Sequence, residues 1–393
     1  MIVKEITNDI FYVGVNDRVK QLFEALWPLP YGVSYNSYIV AGTEKVALID
    51  TVCIEEIREY FNNIHEIASD RTIDYLIVNH MEPDHSAGIP EVIKAYPNIK
   101  IIGNSKTIDM IRGFYHIDDP DRYLEIKDKD TVSLGGRTLS FHLTPMVHWP
   151  ETMMTYVDEE QVLFSGDAFG AFGALNGAVV DRDMDTEVYF PEMYRYYANI
   201  VGKYGRFVQA ALKKLADLPL NYICPTHGPV WHEEIKRTVD IYSRLSAYES
   251  EEGVVIVYGS MYGNTAEIAE MIATELAEKG VKRIKIHNAS TASMSEMITD
   301  AFRYKTLIIG SPTYSMRLFP PVETLLNALE TREVKNKVFA AFSNHTWAPA
   351  PLPKLFGEYA ERLKLPLVAT MAVKQSAGPD TKAQVAEFVS KLI

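Results

Sequence analysis

The chain has 393 residues, 47% of them apolar and 11% aromatic, which is the composition of an ordinary globular protein and excludes a disordered one. Basic residues number 39 against 52 acidic ones, a formal charge of −13 that argues against a phosphate-backbone partner and so against nucleic-acid binding. At a usual domain size of roughly 100–200 residues the length predicts two domains, each able to bury its own core.

The first stretch, "MIVKEITNDIFYV", lacks the basic and continuous apolar segments of a secretory leader, and no uninterrupted apolar run reaches membrane-spanning length. A cytoplasmic chain with no membrane partner is the expectation. The two cysteines, Cys53 and Cys224, are too few for a disulfide framework or a cysteine-held iron–sulfur or rubredoxin-type centre, and read as reduced, packed thiols. Short strands then alternate with turn signals: "SYIVAG", "KVALID", "DYLIVN", "KIIGN", "TLSFHLTP", "MTYVD", "VLFSG" and "YICPT". Helical spacing is expected over residues 54–64 and 89–95.

The polar, acidic stretch "SAYESEEG" at 246–253 gives way sharply to the β-branched "VVIVYG", which sets the expected division at 1–250 and 251–393. Beyond it strands and helices alternate strictly. The strands are "VVIVYG", "RIKIHN", "TLIIGS", "KVFAAFS" and "PLVATMAV", and the helices include "TAEIAEMIATELAEKG", "PVETLLNALET" and "KAQVAEFVSKLI". Five such units predict an open parallel sheet covered by helices on both faces.

Within "VNHMEPDHSAG", four ionisable side chains crowd together: His80, Glu82, Asp84 and His85, in a loop expected between the strand "DYLIVN" and the helix near Ile89. His148, Asp167 and His227 each follow a strand in the same way. Alone, His148 or His227 would read as a hydrogen-bonded structural histidine, and Asp167 as a turn residue or helix cap. Together at strand ends, the seven suit two divalent metals with one carboxylate bridging, because cations offset carboxylate charges that would otherwise destabilise a shared pocket. His85 is the ligand most able to turn away, and His116 and His142 read as ordinary.

The strand "VVIVYG" runs into "GSMYGNT" and then a helix with apolar residues at Ile268, Met271, Ile272 and Leu276. Such a turn presents backbone amides and the hydroxyls of Ser260 and Thr265 at a helix N-terminus, an arrangement suited to a phosphate dianion. It is neither a dinucleotide fingerprint nor a P-loop.

The motif "HMEPDH" resembles the His-x-His-x-Asp-His loop of the metallo-β-lactamase superfamily, with Glu82 where the second histidine stands. That exchange makes the set harder and richer in oxygen, which favours iron over zinc. "GSMYGNT" is similar to the flavodoxin phosphate loop, which implies FMN held at the switch point of a sheet ordered 2-1-3-4-5. The resemblance places Ser260, Met261, Tyr262, Gly263, Asn264 and Thr265 around the phosphate. It places Pro312, Thr313 and Tyr314 of "GSPTYSMRLFP", and Asn344, His345, Thr346 and Trp347 of "SNHTWAP", around the flavin ring, with Trp347 able to cover a face.

A metallo-β-lactamase-like αββα sandwich followed by a flavodoxin-like doubly wound parallel sheet resembles the flavodiiron proteins. The likeness extends over "GVSYNSYIV", "HWPETM", "GDAFG", "YYANI" and "THGPVW". It implies a non-haem diiron centre that reduces oxygen to water, nitric oxide to nitrous oxide, or both, with electrons passed through FMN. His80, Glu82 and His148 then belong to one iron, Asp84, His85 and His227 to the other, and Asp167 bridges. Tyr196 or Tyr197 is expected to donate a hydrogen bond to substrate, and Trp149 to wall the pocket. The family implies a head-to-tail homodimer or a homotetramer. With no rubredoxin module in the sequence, electrons are expected from a separate donor such as rubredoxin or a deazaflavin. The loop "FSNHTWAP" lacks the glycines similar proteins carry near this tryptophan. Two competing readings are a binuclear zinc hydrolase fused to a flavodoxin-like module, which Glu82 disfavours, and a flavin electron carrier without gas chemistry.

Overall fold

The computed structural model describes residues 3–68, 71–347 and 351–393. The chain folds into two compact units, residues 1–197 with 204–243 and residues 198–203 with 244–393.

Among the described residues the first unit contains two large sheets and two short two-stranded ones, Val15–Asp17 with Val33–Tyr35 and Leu22–Phe23 with Trp27–Pro28. One large sheet has seven strands, in the order Lys4–Thr7, Ile10–Tyr12, Tyr38–Ala41, Val46–Ile49, Tyr75–Ile77, Lys100–Gly103 and Tyr123–Glu125. It is antiparallel as far as Val46–Ile49 and parallel beyond. The other has five strands, Thr131–Ser133, Thr138–Leu143, Met153–Val157, Val162–Gly166 and Tyr222–Pro225, with only the last pair parallel. Strands such as Val46–Ile49, Met153–Val157 and Val162–Gly166 are buried at every position, as their continuous apolar runs require between two covering layers. This is the expected sandwich.

Its helices are more numerous than the apolar spacing reveals. Ile57–Ala68, after a single 3-10 turn at Ile54–Glu56, and Ile89–Ala95 stand where helices were expected, whereas Ser105–Tyr115, Gly205–Leu215 and Ile235–Ser246 are additional. The expected loop over 80–85 is also partly helical: Pro83–Ser86 forms one turn, with the Glu82 carbonyl accepting from His85 N and Ser86 N. Pro83 supplies the fixed φ that starts this turn, so Asp84 and His85 sit on a helical corner rather than in open loop.

The second unit is a parallel five-stranded sheet in the order Ile284–Asn288, Glu251–Tyr258, Tyr304–Pro312, Val338–His345, Leu367–Lys374, which is the 2-1-3-4-5 arrangement. Helices Asn264–Glu278, Met294–Arg303, Pro320–Thr331, Leu352–Leu363 and Thr381–Ser390 alternate with the strands. One core joins Ile256, Ile308 and Phe342 of the sheet to Ile268, Ile272 and Leu276 of the first helix. Met271, on the same helix, is packed against that core but only partly buried. Among the described residues, no helix is long and apolar enough to cross a membrane.

Candidate metal centre and flavin loops

Strand ends set the first site. Parallel pairing of Val162–Gly166 with Tyr222–Pro225 brings Asp167 and His227, the residues just beyond them, to one edge of the second sheet. His80 follows Tyr75–Ile77 of the first sheet, and His148 follows Thr138–Leu143 of the second. The loop ahead of His80 is braced by Asp50, which accepts from Asn79 N at 2.7 Å and Asn79 Nδ2 at 3.0 Å.

The seven side chains converge in two sets. His80, Glu82, His148 and Asp167 offer ligand atoms all within 4.8 Å of one another, as do Asp84, His85 and His227. Asp167 faces both. Its Oδ2 lies 3.0 Å from His148 Nε2 and 3.4 Å from His80 Nε2, while its Oδ1 lies 3.0 Å from His85 Nε2 and 3.8 Å from His227 Nε2. Glu82 Oε2 approaches His148 Nε2 at 3.1 Å and His80 Nε2 at 3.3 Å. Asp84 Oδ2 stands 3.2 Å from His85 Nε2 and 3.3 Å from His227 Nε2.

These groups fit a pair of metal ions on their own chemistry. Both carboxylate oxygens of Asp84, Nε2 of His85 and Nε2 of His227 are buried and make no hydrogen bond of acceptable geometry among the described residues, despite the short distances between them. Buried polar atoms are almost always satisfied, so converging lone pairs without donors call for a cation. Without one, protons take that role. Burial opposes the imidazolium form of His85, but the charges of Asp84 and Asp167 outweigh it and lift its pKa to about 9. His148 is likewise lifted to about 9, burial being overcome by hydrogen bonds to Asp167 and Glu82. His80 is pushed well up chiefly by Asp167 against the same penalty, and the histidines in turn hold Glu82 and Asp167 far below the usual carboxylate range despite their burial.

The aromatic residues near the cluster separate. The Tyr196 ring lies 5.4 Å from His227 and its buried hydroxyl has no hydrogen-bond partner among the described residues. Tyr197, next along the chain, packs instead against Tyr242, with centroids 5.1 Å apart. Trp149 stands edge-on to His80 at 5.3 Å. An open pocket of about 640 Å³ leads to Glu82 and Asp84 past Phe23, Tyr35 and Cys53.

Two further acids belong here that sequence reasoning missed. Glu151 Oε1, within "HWPETM", accepts from His80 Nδ1 at 2.8 Å and from Met81 N at 2.9 Å. Its place three residues after His148 was the available signal. Glu24 lines the same pocket, on a two-residue turn with both Glu24 and Ala25 at positive φ, and nothing in "LFEAL" announces it. The residue is exposed but its carboxyl end reaches inward. Burial there and the charge of Glu82 push its pKa up to about 7, and Trp27 Nε1 donates to it at 3.0 Å.

The second unit gathers its three predicted loops at the C-terminal ends of its parallel strands. Gly263, at φ +98°, precedes helix Asn264–Glu278, whose N-terminus has no side-chain cap. Ser260 Oγ accepts from Gly263 N at 3.1 Å, and Thr265 is buried. Uncapped amides at a helix start, after a residue only glycine tolerates well, fit a phosphate. Pro312, Asn344 and His345 prove to be strand residues, because the ladder continues through Ser311↔Ser343 and Pro312↔Asn344. Thr313 Oγ1 and His345 Nδ1 are buried with no hydrogen-bond partner among the described residues. Met261, Tyr262, Tyr314 and Trp347 are exposed, Tyr262 to 90% and Trp347 to 92%, a density of uncovered rings suited to a flat aromatic cofactor. Asn344 Nδ2 is engaged by the Val373 and Gln375 carbonyls, and Thr346 is also exposed. Residues 348–350, which complete the "SNHTWAP" loop, lie outside the described residues.

A two-metal sandwich followed by a flavodoxin-type sheet defines a flavin-linked, metal-dependent oxidoreductase class. Comparison with known proteins makes this specific. Residues 33–228 match the ODP family beta lactamase and residues 256–379 match Flavodoxin. The anaerobic nitric oxide reductase flavorubredoxin of Escherichia coli O1:K1 is 33% identical over 356 residues, covering 89% of this chain and 74% of that protein. The rubredoxin oxygen:oxidoreductase of Desulfovibrio gigas superposes with a TM-score of 0.93 at 27% identity, covering 99% of this chain and 97% of that one. A mutant flavo di-iron protein of Thermotoga maritima gives 0.90 at 27% identity, covering 100% and 98%. The chain belongs to the flavodiiron protein family. Its cofactors are accordingly FMN and a pair of non-haem irons.

Proposed function

We propose that this chain reduces oxygen to water, nitric oxide to nitrous oxide, or both, with electrons entering through FMN and passing to the diiron centre. The observation that carries the reading is Asp167: one oxygen faces His80 and His148 and the other faces His85 and His227, as a bridge between two metals requires. His80, Glu82 and His148 would hold one iron, and Asp84, His85 and His227 the other. When bound, the irons supply redox equivalents and open positions for a diatomic gas, and FMN restores their electrons.

The chain's own groups arrange the rest. The unpartnered Tyr196 hydroxyl beside His227 is available to donate a hydrogen bond to the gas, a role Tyr197 would share only by moving off Tyr242. Phe23 stands edge-on to His227 at 5.3 Å and Trp149 does the same to His80, limiting the access of bulk water. In the flavodoxin part, Ser260, Met261, Tyr262, Gly263, Asn264 and Thr265 would hold the FMN phosphate. Pro312, Thr313, Tyr314, Asn344, His345, Thr346 and Trp347 would border the ring. Functionally the chain then divides into a diiron part, 1–250, and an FMN part, 251–393.

The donor is a separate small redox protein of the rubredoxin kind. The working form is a cytoplasmic head-to-tail homodimer, or a homotetramer built from it. The D. gigas and E. coli relatives, named for oxygen and for nitric oxide respectively, support both gases as substrates. Anaerobic reduction followed by separate consumption assays with each gas tests the reading. Rapid loss of at least one gas, dependent on both iron and FMN, is expected. Flavin reduction without consumption of either gas would refute it.

A further inference from the structure

The histidines that face the two metal positions are not backed alike. His80 Nδ1 lies 2.8 Å from Glu151 Oε1, a buried carboxylate. His227 Nδ1 meets only the neutral Ser34 carbonyl, at 2.7 Å. His85 Nδ1 is buried with no hydrogen-bond partner among the described residues. A carboxylate behind an imidazole fixes the tautomer, turns the far nitrogen's lone pair to the metal and strengthens it as a donor.

Glu151 is itself held in place. The same Oε1 receives Met81 N at 2.9 Å, and its backbone carbonyl receives Asn104 Nδ2 at 2.6 Å. Asn104 in turn caps helix Ser105–Tyr115 through Lys106 N and Thr107 N. The shared ligand adds to the inequality. Thr226 Oγ1 donates at 2.6 Å to Asp167 Oδ1, the oxygen facing His85 and His227, and so draws on the lone pairs available to that side alone.

We propose that Glu151 is a positioning residue that makes the two metal positions unequal, so that metal at His80, Glu82 and His148 is held more tightly than metal at Asp84, His85 and His227. This rests on the reading that the cluster holds two metals. It follows that iron is lost from the second position first and that a one-iron form keeps it in the first.

The test is an anaerobic titration of chelator-stripped protein with Co(II), followed by its visible ligand-field bands and by bound metal after gel filtration. Wild-type protein should fill in two steps. In a His227→Ala background, which leaves the first set whole, the tight step should persist. Adding Glu151→Gln there should weaken it about 10–100-fold, while in a His148→Ala background the same change should alter the remaining step by less than about threefold. Equal loss in both backgrounds, as a merely structural role predicts, overturns the proposal, as does no loss in either or a wild type filling in one step. Should Glu151→Gln not fold, Glu151→Asp, which keeps the charge but withdraws it by one methylene, must show the same selective loss. A wild type that takes up no metal would refute the diiron reading itself, whereas two-step filling insensitive to Glu151 sinks only this proposal.

Discussion

At the scale of residues, the cluster is a problem in charge that metal and protons solve in competition. His85 and His148 are lifted to about 9 in the metal-free state by neighbouring carboxylates, against the penalty of burial. A histidine whose pKa is raised on folding contributes stability that is full below its unfolded value, about 6.5, and is lost as pH rises through the folded one. The urea midpoint of metal-free protein should therefore fall between about pH 6.5 and pH 9. The iron-loaded form should lack this slope, and iron uptake at pH 7 should release protons measurable in weak buffer. Asp167→Asn keeps size but loses the bridging charge, so iron per chain should drop while flavin absorbance stays. Ser260→Ala should do the reverse, removing a hydroxyl worth about 1.5–3 kcal/mol to a charged phosphate, seen as a rise in the FMN Kd. Four of the seven side chains were legible from their crowding in "HMEPDH", and His148, Asp167 and His227 from their place just beyond strands. Glu151 and Glu24 were not, since a single acid gains meaning only from the histidine or glutamate that the fold sets beside it.

At the scale of elements, the same contrast separates strands from helices. The strands that precede His80, Asp167 and His227 stood out as buried apolar runs; strict alternation predicted a parallel sheet, and its 2-1-3-4-5 order was implied by the resemblance of "GSMYGNT" to the flavodoxin phosphate loop. Helices such as Ser105–Tyr115 and Gly205–Leu215 were harder to see, because only a few residues of each are buried, Thr107, Ile108 and Ile111 in the first. The helical turn Pro83–Ser86 is shorter than any periodic pattern can register. Gly263 shows an element's end governed by one backbone angle. A Cβ there meets nothing within 4 Å, so Gly263→Ala costs only the positive φ, about 1–2 kcal/mol, and should weaken FMN binding without disturbing the core. Ile268→Ala, on the buried face of the following helix, should instead cost about 2–5 kcal/mol of that unit's stability in a denaturant titration.

At the scale of the whole molecule, one chain joins a fold that gathers histidines and carboxylates at the ends of two sheets to a flavodoxin-type fold with a single parallel sheet. Motif order along the sequence made that pairing readable. The surroundings of the cluster were not, since the rings of Phe23, Tyr196 and Trp149 come beside its histidines only after folding. The proposed gas chemistry requires the seven side chains to hold two irons. Anomalous diffraction at the iron edge, from crystals of anaerobically loaded protein, examines this directly. Two iron peaks about 3.5–4 Å apart are predicted, one bound by His80, Glu82 and His148, the other by Asp84, His85 and His227, with one Asp167 oxygen on each. A single peak, zinc in place of iron, or metal bound away from Asp167 would contradict it.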